Sequence, residues 1–454
     1  MSLFIVGLDN TAVNVALPNL RADLQASTSQ LQWVISAYTL VLASLLMLAG
    51  STADRVGRAR IFKIGLTVFT IGSALCSVAP NVHLLIAARM LQAVGGSMLN
   101  PVAMSIIRNT FDDPRERAQA IGLWAGVIGV SMALGPLIGG GLTEAVDWRA
   151  IFWINIPVGI AAWLLTTRFI QESRAARPRQ LDPVGQVLVI VLLATAVYAV
   201  IEAPTSGWLS AQTLGLAAVS IVAVSALIAY EPRHHDPLID TRFFKSAPFA
   251  GASAIAVLTF SGLGGFLFLN TIYLQSARGL SPLMAGIYTL PMAAITVFVG
   301  PITGRVVGRF GARPALLVGG AAISLSGLML TGIAPDTSIG WLFLAYAVFG
   351  VGFGSVNPPI TNTAVSGMPP AQAGVASAVA STSRQTGQSI GVAVFGSVAV
   401  AAAGASPATI TESSHVGYWI VFGCGLVIVA LSWLSTGRWA EATAVRTAAL
   451  LRAD

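Results

Sequence analysis

About fourteen stretches of roughly twenty apolar residues follow one another along this chain, and charged side chains are almost confined to the gaps between them. The runs cover approximately 1–20, 31–53, 60–79, 82–107, 118–142, 149–169, 184–203, 212–231, 248–273, 283–304, 313–334, 339–363, 374–402 and 416–436. A helix needs about 20 such residues to cross the hydrocarbon core of a bilayer. Barrel strands would alternate over about 10 residues instead, so unbroken runs mean helices. Hydrophobic residues make up 55% of the 454 and charged ones 9%. A soluble domain carries roughly 25% charged residues, so this chain cannot cover a water-facing surface. The same scarcity excludes disorder. The expected fold is an all-α polytopic membrane protein with about 14 transmembrane helices, and no gap leaves room for a separate soluble domain.

The basic residues are placed unevenly. Twenty of the 25 Lys and Arg fall in one set of alternate loops and the tail, among them Arg55, Arg58, Lys63, Arg168, Arg305 and Arg309. Only Arg21, Arg149 and Arg278 lie on the other side, and Arg89 and Arg384 fall inside runs. By the positive-inside rule the basic side is cytoplasmic, and an even number of spans puts both termini there. The asymmetry accounts for the net charge of +7 without a nucleic-acid partner. Asp9, Asn10 and Asn14 in the first run argue against a cleavable leader. That run is barely long enough and has no Lys or Arg ahead of it, which suggests a natural start upstream of Met1. Cys76 and Cys424 lie in apolar runs and are expected to be packing residues rather than a disulfide.

Gly50, Asp54, Arg55 and Gly57 recur 254 residues later as Gly304, Gly308, Arg309 and Gly311. Repeats of this kind occur in secondary transporters whose halves rock about a central site. The implied organisation is a six-helix half over 1–170, an inserted helix pair with its loops over 171–247, a second six-helix half over 248–436 and a cytoplasmic tail over 437–454.

Asp9 is the one acid placed well inside a run. A carboxylate in hydrocarbon must be paired, protonated or turned to a polar cavity. Burial favours the neutral form of a carboxyl, which suits such a group to carry a proton. Asp9 therefore binds a coupling proton, contacts a cationic substrate, alternates between both, or holds a neighbouring helix by hydrogen bonds. Arg89, in the fourth run, cannot lose its proton, so it too needs a partner or a wet cavity. Gln92 shares its helix face. Arg384, with Gln385, raises the same question in the thirteenth run, or snorkels to the membrane edge. In the fifth run, Gly135, Pro136, Gly139 and Gly140 combine a helix-bending Pro with glycines that allow close helix approach. Asp54 in the loop Asp54-Arg55-Val56-Gly57-Arg58 is expected to pair with an Arg on a neighbouring helix end as a gate. The four histidines form no spaced ligand set, so no metal site is expected.

These segments resemble the major facilitator superfamily, in particular its fourteen-helix branch of drug:proton antiporters, the multidrug efflux transporters. The resemblance rests on Leu8-Asp9-Asn10-Thr11 through Pro18, on Gly50 to Arg60, on Arg89 to Gly96, on Gly135-Pro136 with Gly139-Gly140, on Trp148 to Gly159, and on Tyr273 through Pro291. It implies proton coupling at Asp9 and Arg89, a gating loop of Asp54, Arg55, Gly57 and Arg58 with Arg309 in the second half, and an antiporter motif at Gly135 to Gly140. It further implies proton-driven export of lipophilic, often cationic, drugs or antibiotics across the inner membrane of a bacterium by a monomer. The partners are a small-molecule substrate, protons and the bilayer. The proton gradient is the energy source and no cofactor is expected. The alternative on the same fold moves a metabolite in or out. A membrane-embedded enzyme is disfavoured for want of catalytic His or acids in the loops. The substrate is expected in a midplane cavity lined by Trp33, Tyr38, Gln92, Asn100, Asn270, Arg384 and Gln385.

Overall fold

A computed structural model describes residues 1–111, 113–175, 180–234, 236–365, 373–400 and 406–452. Each of the fourteen apolar runs carries a helix, and there is no strand among the described residues. The first group comprises α1 (Ser2–Leu24), α2 (Thr28–Val56), α3 (Arg58–Ser77), α4 (Val82–Ser97), α5 (Asn100–Thr110), α6 (Pro114–Ala145), α7 (Ala150–Trp153) and α8 (Asn155–Phe169). A pair follows, α9 (Pro183–Ser206) and α10 (Ala211–Tyr230). The last group comprises α11 (Ala247–Ile272), α12 (Pro282–Phe310), α13 (Ala312–Leu330), α14 (Ile339–Val365), α15 (Ala373–Val400), α16 (Pro407–Ser435) and α17 (Arg438–Arg452). Among the described residues, 11 helices are long and apolar enough to cross a membrane. The other three runs are α1, α6 and α15. Two of them carry the polar residues of the sequence analysis, Asp9 and Asn10 in α1 and Arg384 and Gln385 in α15.

Helix starts follow local chemistry. Ser27 and Gln30 form a capping box at α2, each side chain serving the other's backbone N–H at 3.2 and 2.8 Å. Asn81, Asp182, Ser210, Ser281 and Ser406 accept from the first-turn amides of α4, α9, α10, α12 and α16. Two runs read as single helices are broken. Pro101 lacks an N–H and disfavours helix in the residue before it, so the fourth run divides at Met98–Leu99 into α4 and α5. The sixth divides at Ile154, three residues ahead of Pro157. Within the expected tail, Arg438–Arg452 form α17, which packs against α11 and the short 3-10 turn Thr241–Lys245. Thr443 Oγ1 accepts the Ala247 amide at 2.9 Å.

In the first group α1 packs on α6, α2 on α4, and α3 on α4 and α8. In the last, α11 packs on α15 and α16, α12 on α14, and α13 on α14 and α16. The groups meet through α6 on α12 and α2 on α15, and α9 lies over the α2–α15 seam. One end of the bundle carries the basic loops around Arg58 and Arg309; the other, far end carries Ser27, Glu144 and Pro282. Asn10 Nδ2 donates to Gln388 Oε1 at 2.9 Å, Gln32 Nε2 to the Ala393 carbonyl at 2.8 Å, Gln275 Nε2 to the Val15 carbonyl at 2.6 Å, and the Leu283 amide to Glu144 Oε2 at 3.1 Å. Each of these links between the groups lies in the middle or at the far end.

Candidate functional site

Asp9 sits one-third of the way along α1 and is fully buried, as is Arg89 on α4. The Arg89 guanidinium donates through Nη1 to Asp9 Oδ2, an ion pair closed to solvent. Asp9 Oδ1 accepts from Gln92 Nε2 at 3.0 Å and from Asn155 Nδ2 at 3.0 Å. Arg89 also donates to Gln92 Oε1 at 2.8 Å and, through Nε, to the Val34 carbonyl at 3.3 Å. Its Cζ lies 4.0 Å from the centre of the Tyr38 ring, a cation–π contact. Ser73 Oγ accepts from Asn155 Nδ2 at 3.0 Å and donates to the Phe152 carbonyl at 2.9 Å. Five helices thus converge on one carboxylate: α1 brings Asp9, α2 Tyr38, α3 Ser73, α4 Arg89 and Gln92, and α8 Asn155.

The chemistry follows from the donor count. Both Asp9 oxygens accept from N–H groups, Oδ2 from Arg89 and Oδ1 from Gln92 and Asn155. This arrangement fits the ionised form. A buried pair is held by mutual attraction in low dielectric, and losing one partner leaves a charge uncompensated at a cost of about 3–5 kcal/mol.

The sequence brought out Asp9, Arg89 and Gln92, and the structure brings them together. Asn155 and Ser73 were missed; Asn155 is a neutral amide inside an apolar helix, which is the signal it offered. Tyr38 was assigned to a substrate cavity but stacks on Arg89. The seven residues expected to line one midplane cavity are dispersed. Trp33 lies at the far end, where Nε1 donates to Glu202. Gln92 belongs to the Asp9 network. Asn270 is buried within the last group, accepting from the Tyr346 hydroxyl. Asn100 starts α5. Arg384 and Gln385 lie midway along α15, where Arg384 Nη2 donates to Thr361 Oγ1 and its Cζ is 5.9 Å from the Phe260 ring. That places Arg384 inside the bundle rather than snorkelling to an edge.

The loop after α2 carries an ion pair. Asp54, near the end of α2, pairs at 2.8 Å with Arg58, the first residue of the neighbouring helix α3. The short turn at Gly57, with φ of 130°, brings the end of α2 and the start of α3 within local reach. Arg55 and Arg309 are exposed, the latter 5.5 Å from the Phe310 ring centre. A different acid anchors the loop. Glu172, beyond α8, accepts the Ala59 amide at 3.1 Å and the Arg60 amide at 3.1 Å, capping α3. Glu172→Ala is expected to lower stability by about 1 kcal/mol, the usual effect of losing a cap. An unchanged unfolding midpoint in detergent would contradict it.

On α6 the glycines serve two neighbours. A Cβ at Gly139 would meet the Ala12 carbonyl oxygen of α1 at 2.7 Å. One at Gly140 would meet the Pro282 carbonyl carbon of α12 at 2.8 Å. Gly135 faces Thr11, and Pro136 faces Gly286 of α12. The motif therefore packs α1, which carries Asp9, on one side and the second group of helices on the other. At the end of α1, Arg149 and Trp148 donate to Asp23 at 2.8 and 3.1 Å. These hydrogen bonds, Arg149 first, hold the exposed Asp23 carboxyl below its ordinary range.

A bundle of membrane-length helices in two groups, the first enclosing a buried ion pair, defines a polytopic helical membrane protein. The chain belongs to the Major Facilitator Superfamily, whose family model matches residues 1–392, and that family consists of transporters rather than enzymes. It is 35% identical over 401 residues to the multidrug resistance protein Stp of Mycobacterium tuberculosis, covering 88% of this chain and 74% of that one. It is 35% identical over 447 residues to the puromycin resistance protein pur8 of Streptomyces alboniger, covering 95% and 88%. With the tetracenomycin C resistance and export protein of Streptomyces glaucescens it shares 35% over 398 residues, covering 87% and 74%. Two solved structures share the fold at 16% identity. One is a peptide transporter, POT, in complex with sulfate, with TM-score 0.67 over 99% of this chain and 94% of that one. The other is the human organic anion transporter MFSD10, with TM-score 0.65 over 95% and 97%.

Proposed function

We propose that this chain is a proton-coupled antiporter that exports lipophilic, often cationic, drugs or antibiotics across the cytoplasmic membrane of a bacterium. It crosses that membrane fourteen times in a 6 + 2 + 6 arrangement, with both termini and the basic end in the cytoplasm. The observation that carries the reading is the solvent-free pair of Asp9 and Arg89 on two different helices. Relatives named for multidrug resistance and for antibiotic resistance and export support the direction and the cargo.

With this sidedness the linked far end is the outer one, and the conformation is closed to the outside with Asp9 ionised. A proton arriving at Asp9 removes the charge that Arg89 attracts. The bonds from Gln92 and Asn155 then go to a neutral carboxyl and lose their charge assistance, and α1 is held less tightly to α4 and α8. Because Asn10, beside Asp9 on α1, donates to Gln388 of α15, loosening α1 from α4 and α8 biases how the two groups meet. A ligand moves such an equilibrium only by its differential affinity for the two states. The proton supplies that difference through the charge it cancels. In the middle of the last group, Arg384 and Gln385 present polar groups to substrate.

The test is transport in proteoliposomes. An imposed proton gradient is expected to drive tetraphenylphosphonium or puromycin in the direction opposite to the protons. No substrate movement, or movement together with the protons, would contradict antiport.

A further inference from the structure

A cavity of ≈ 390 Å³ opens at the far end, well away from Asp9, between α2, the start of α4 and the last turns of α9. Trp33, Tyr198, Glu202, His83, Gln30 and Thr205 are among its walls. The Trp33 and Tyr198 rings have centroids 5.5 Å apart and planes 52° apart, so they form a corner. Glu202 stands in that corner. Its Oε1 accepts from Trp33 Nε1 at 3.2 Å and its Oε2 from Thr205 Oγ1 at 3.3 Å. Gln30 Nε2 and His83 Nε2 are 3.4 Å apart on the opposite wall. Among the described residues, no Lys or Arg lines the cavity.

Two aromatic faces and one carboxylate, in a space of small-molecule size, match the chemistry that holds organic cations. Aromatic residues alone at a membrane interface need no ligand to explain them. A partly buried carboxylate between two of them, with no Lys or Arg among the described wall residues, goes beyond that. We propose that this cavity is a second binding site, for onium or ammonium groups, at the junction of the first helix group and the inserted pair. Trp33 and Tyr198 contact the cation's faces and Glu202 supplies the countercharge. The site does not depend on proton coupling, so binding to resting protein tests it separately. The same onium chemistry is offered by a soluble organic cation and by the headgroup of phosphatidylethanolamine.

The experiment is photolabelling of the purified full chain in nanodiscs with azidobenzyl-trimethylammonium, mapped by mass spectrometry. In phosphatidylglycerol nanodiscs, label is expected on residues 27–33, 83–86 and 198–205, with competition by benzyltrimethylammonium. Glu202→Gln keeps an acceptor for Trp33 Nε1, turns the Thr205 contact to one in which its amide donates, and removes the charge; it is expected to weaken binding ~10-fold, as is Trp33→Leu. Nanodiscs containing phosphatidylethanolamine separate the sources: protection assigns the site to the lipid headgroup, and undiminished label assigns it to soluble cations. Label elsewhere only, label unaffected by Glu202→Gln, or equal competition by the neutral isostere neopentylbenzene would overturn the proposal.

Discussion

Asp9→Asn is expected to abolish gradient-driven export and to destabilise the protein by about 3–5 kcal/mol. Both effects come from one event. The substitution preserves size and much of the hydrogen bonding, but it leaves the Arg89 guanidinium buried without a countercharge. Only the Tyr38 ring, 4.0 Å away, and neutral acceptors remain to hold it. The two effects separate in the double variant Asp9→Asn with Arg89→Met. Removing both charges relieves the uncompensated one, so most of the stability returns. Export does not return, because no group at this position can gain and lose a proton. Unfolding in detergent and proteoliposome transport read the two quantities. A double variant that regains stability but also exports against substrate in response to a proton gradient would place coupling elsewhere. A single Asp9→Asn variant as stable as the wild type would contradict the energetic reading of the pair.

The second large effect concerns the seam between the helix groups. Gly140→Ala drives a methyl group into the backbone carbonyl of Pro282. Backbone cannot give way as a flexible side chain can, so the helix ends must part. Overpacking of this kind costs about 1–3 kcal/mol. Here the cost falls on the conformation with the far end closed, so the population moves toward the other conformation by roughly 5–150-fold. Gly139→Ala is the matched control. Its methyl group meets Ala12 within the same helix group, so it is expected to lower stability without changing how the groups meet. Spin labels at the exposed far-end positions Arg21 and Asp336, one in each group, measure the separation directly. A longer distance is expected for Gly140→Ala and not for Gly139→Ala. Identical distance distributions for both variants would remove the seam from the conformational cycle.

What could be read from the sequence followed from how costly a feature is in hydrocarbon. Fourteen apolar runs are visible because each must be apolar along its length. Asp9 and Arg89 stand out because an ionised group inside such a run requires a partner, and each turned out to be the other's. Gln92 followed from its place one turn after Arg89. Asn155 and Ser73 gave no comparable signal. Neutral polar side chains are tolerated in membrane helices, and their role arises only where α8 crosses α3 beside Asp9. Tyr38 and Trp33 were read together as substrate contacts, yet their positions along α2 put one against Arg89 and the other near the far end. The loop acid Asp54 was expected to pair with an Arg at a neighbouring helix end, and Arg58, four residues away across a glycine turn, is that Arg. The cap from Glu172, 113 residues from Ala59, depends on a tertiary contact that no local pattern announces. The helix breaks were foreshadowed by Pro101 and Pro157, which an apolar run conceals because Pro does little to interrupt its hydropathy.

The charge state of Asp9 is the centre of the account, and infrared difference spectroscopy reads it most directly. Isotope-labelled protein in liposomes, stepped from high to low pH with and without tetraphenylphosphonium, should give a protonated-carboxyl band that substrate suppresses and that is missing in Asp9→Asn. A band that persists in Asp9→Asn, or a wild-type spectrum with no carboxyl change across the pH step, would contradict proton carriage at this residue.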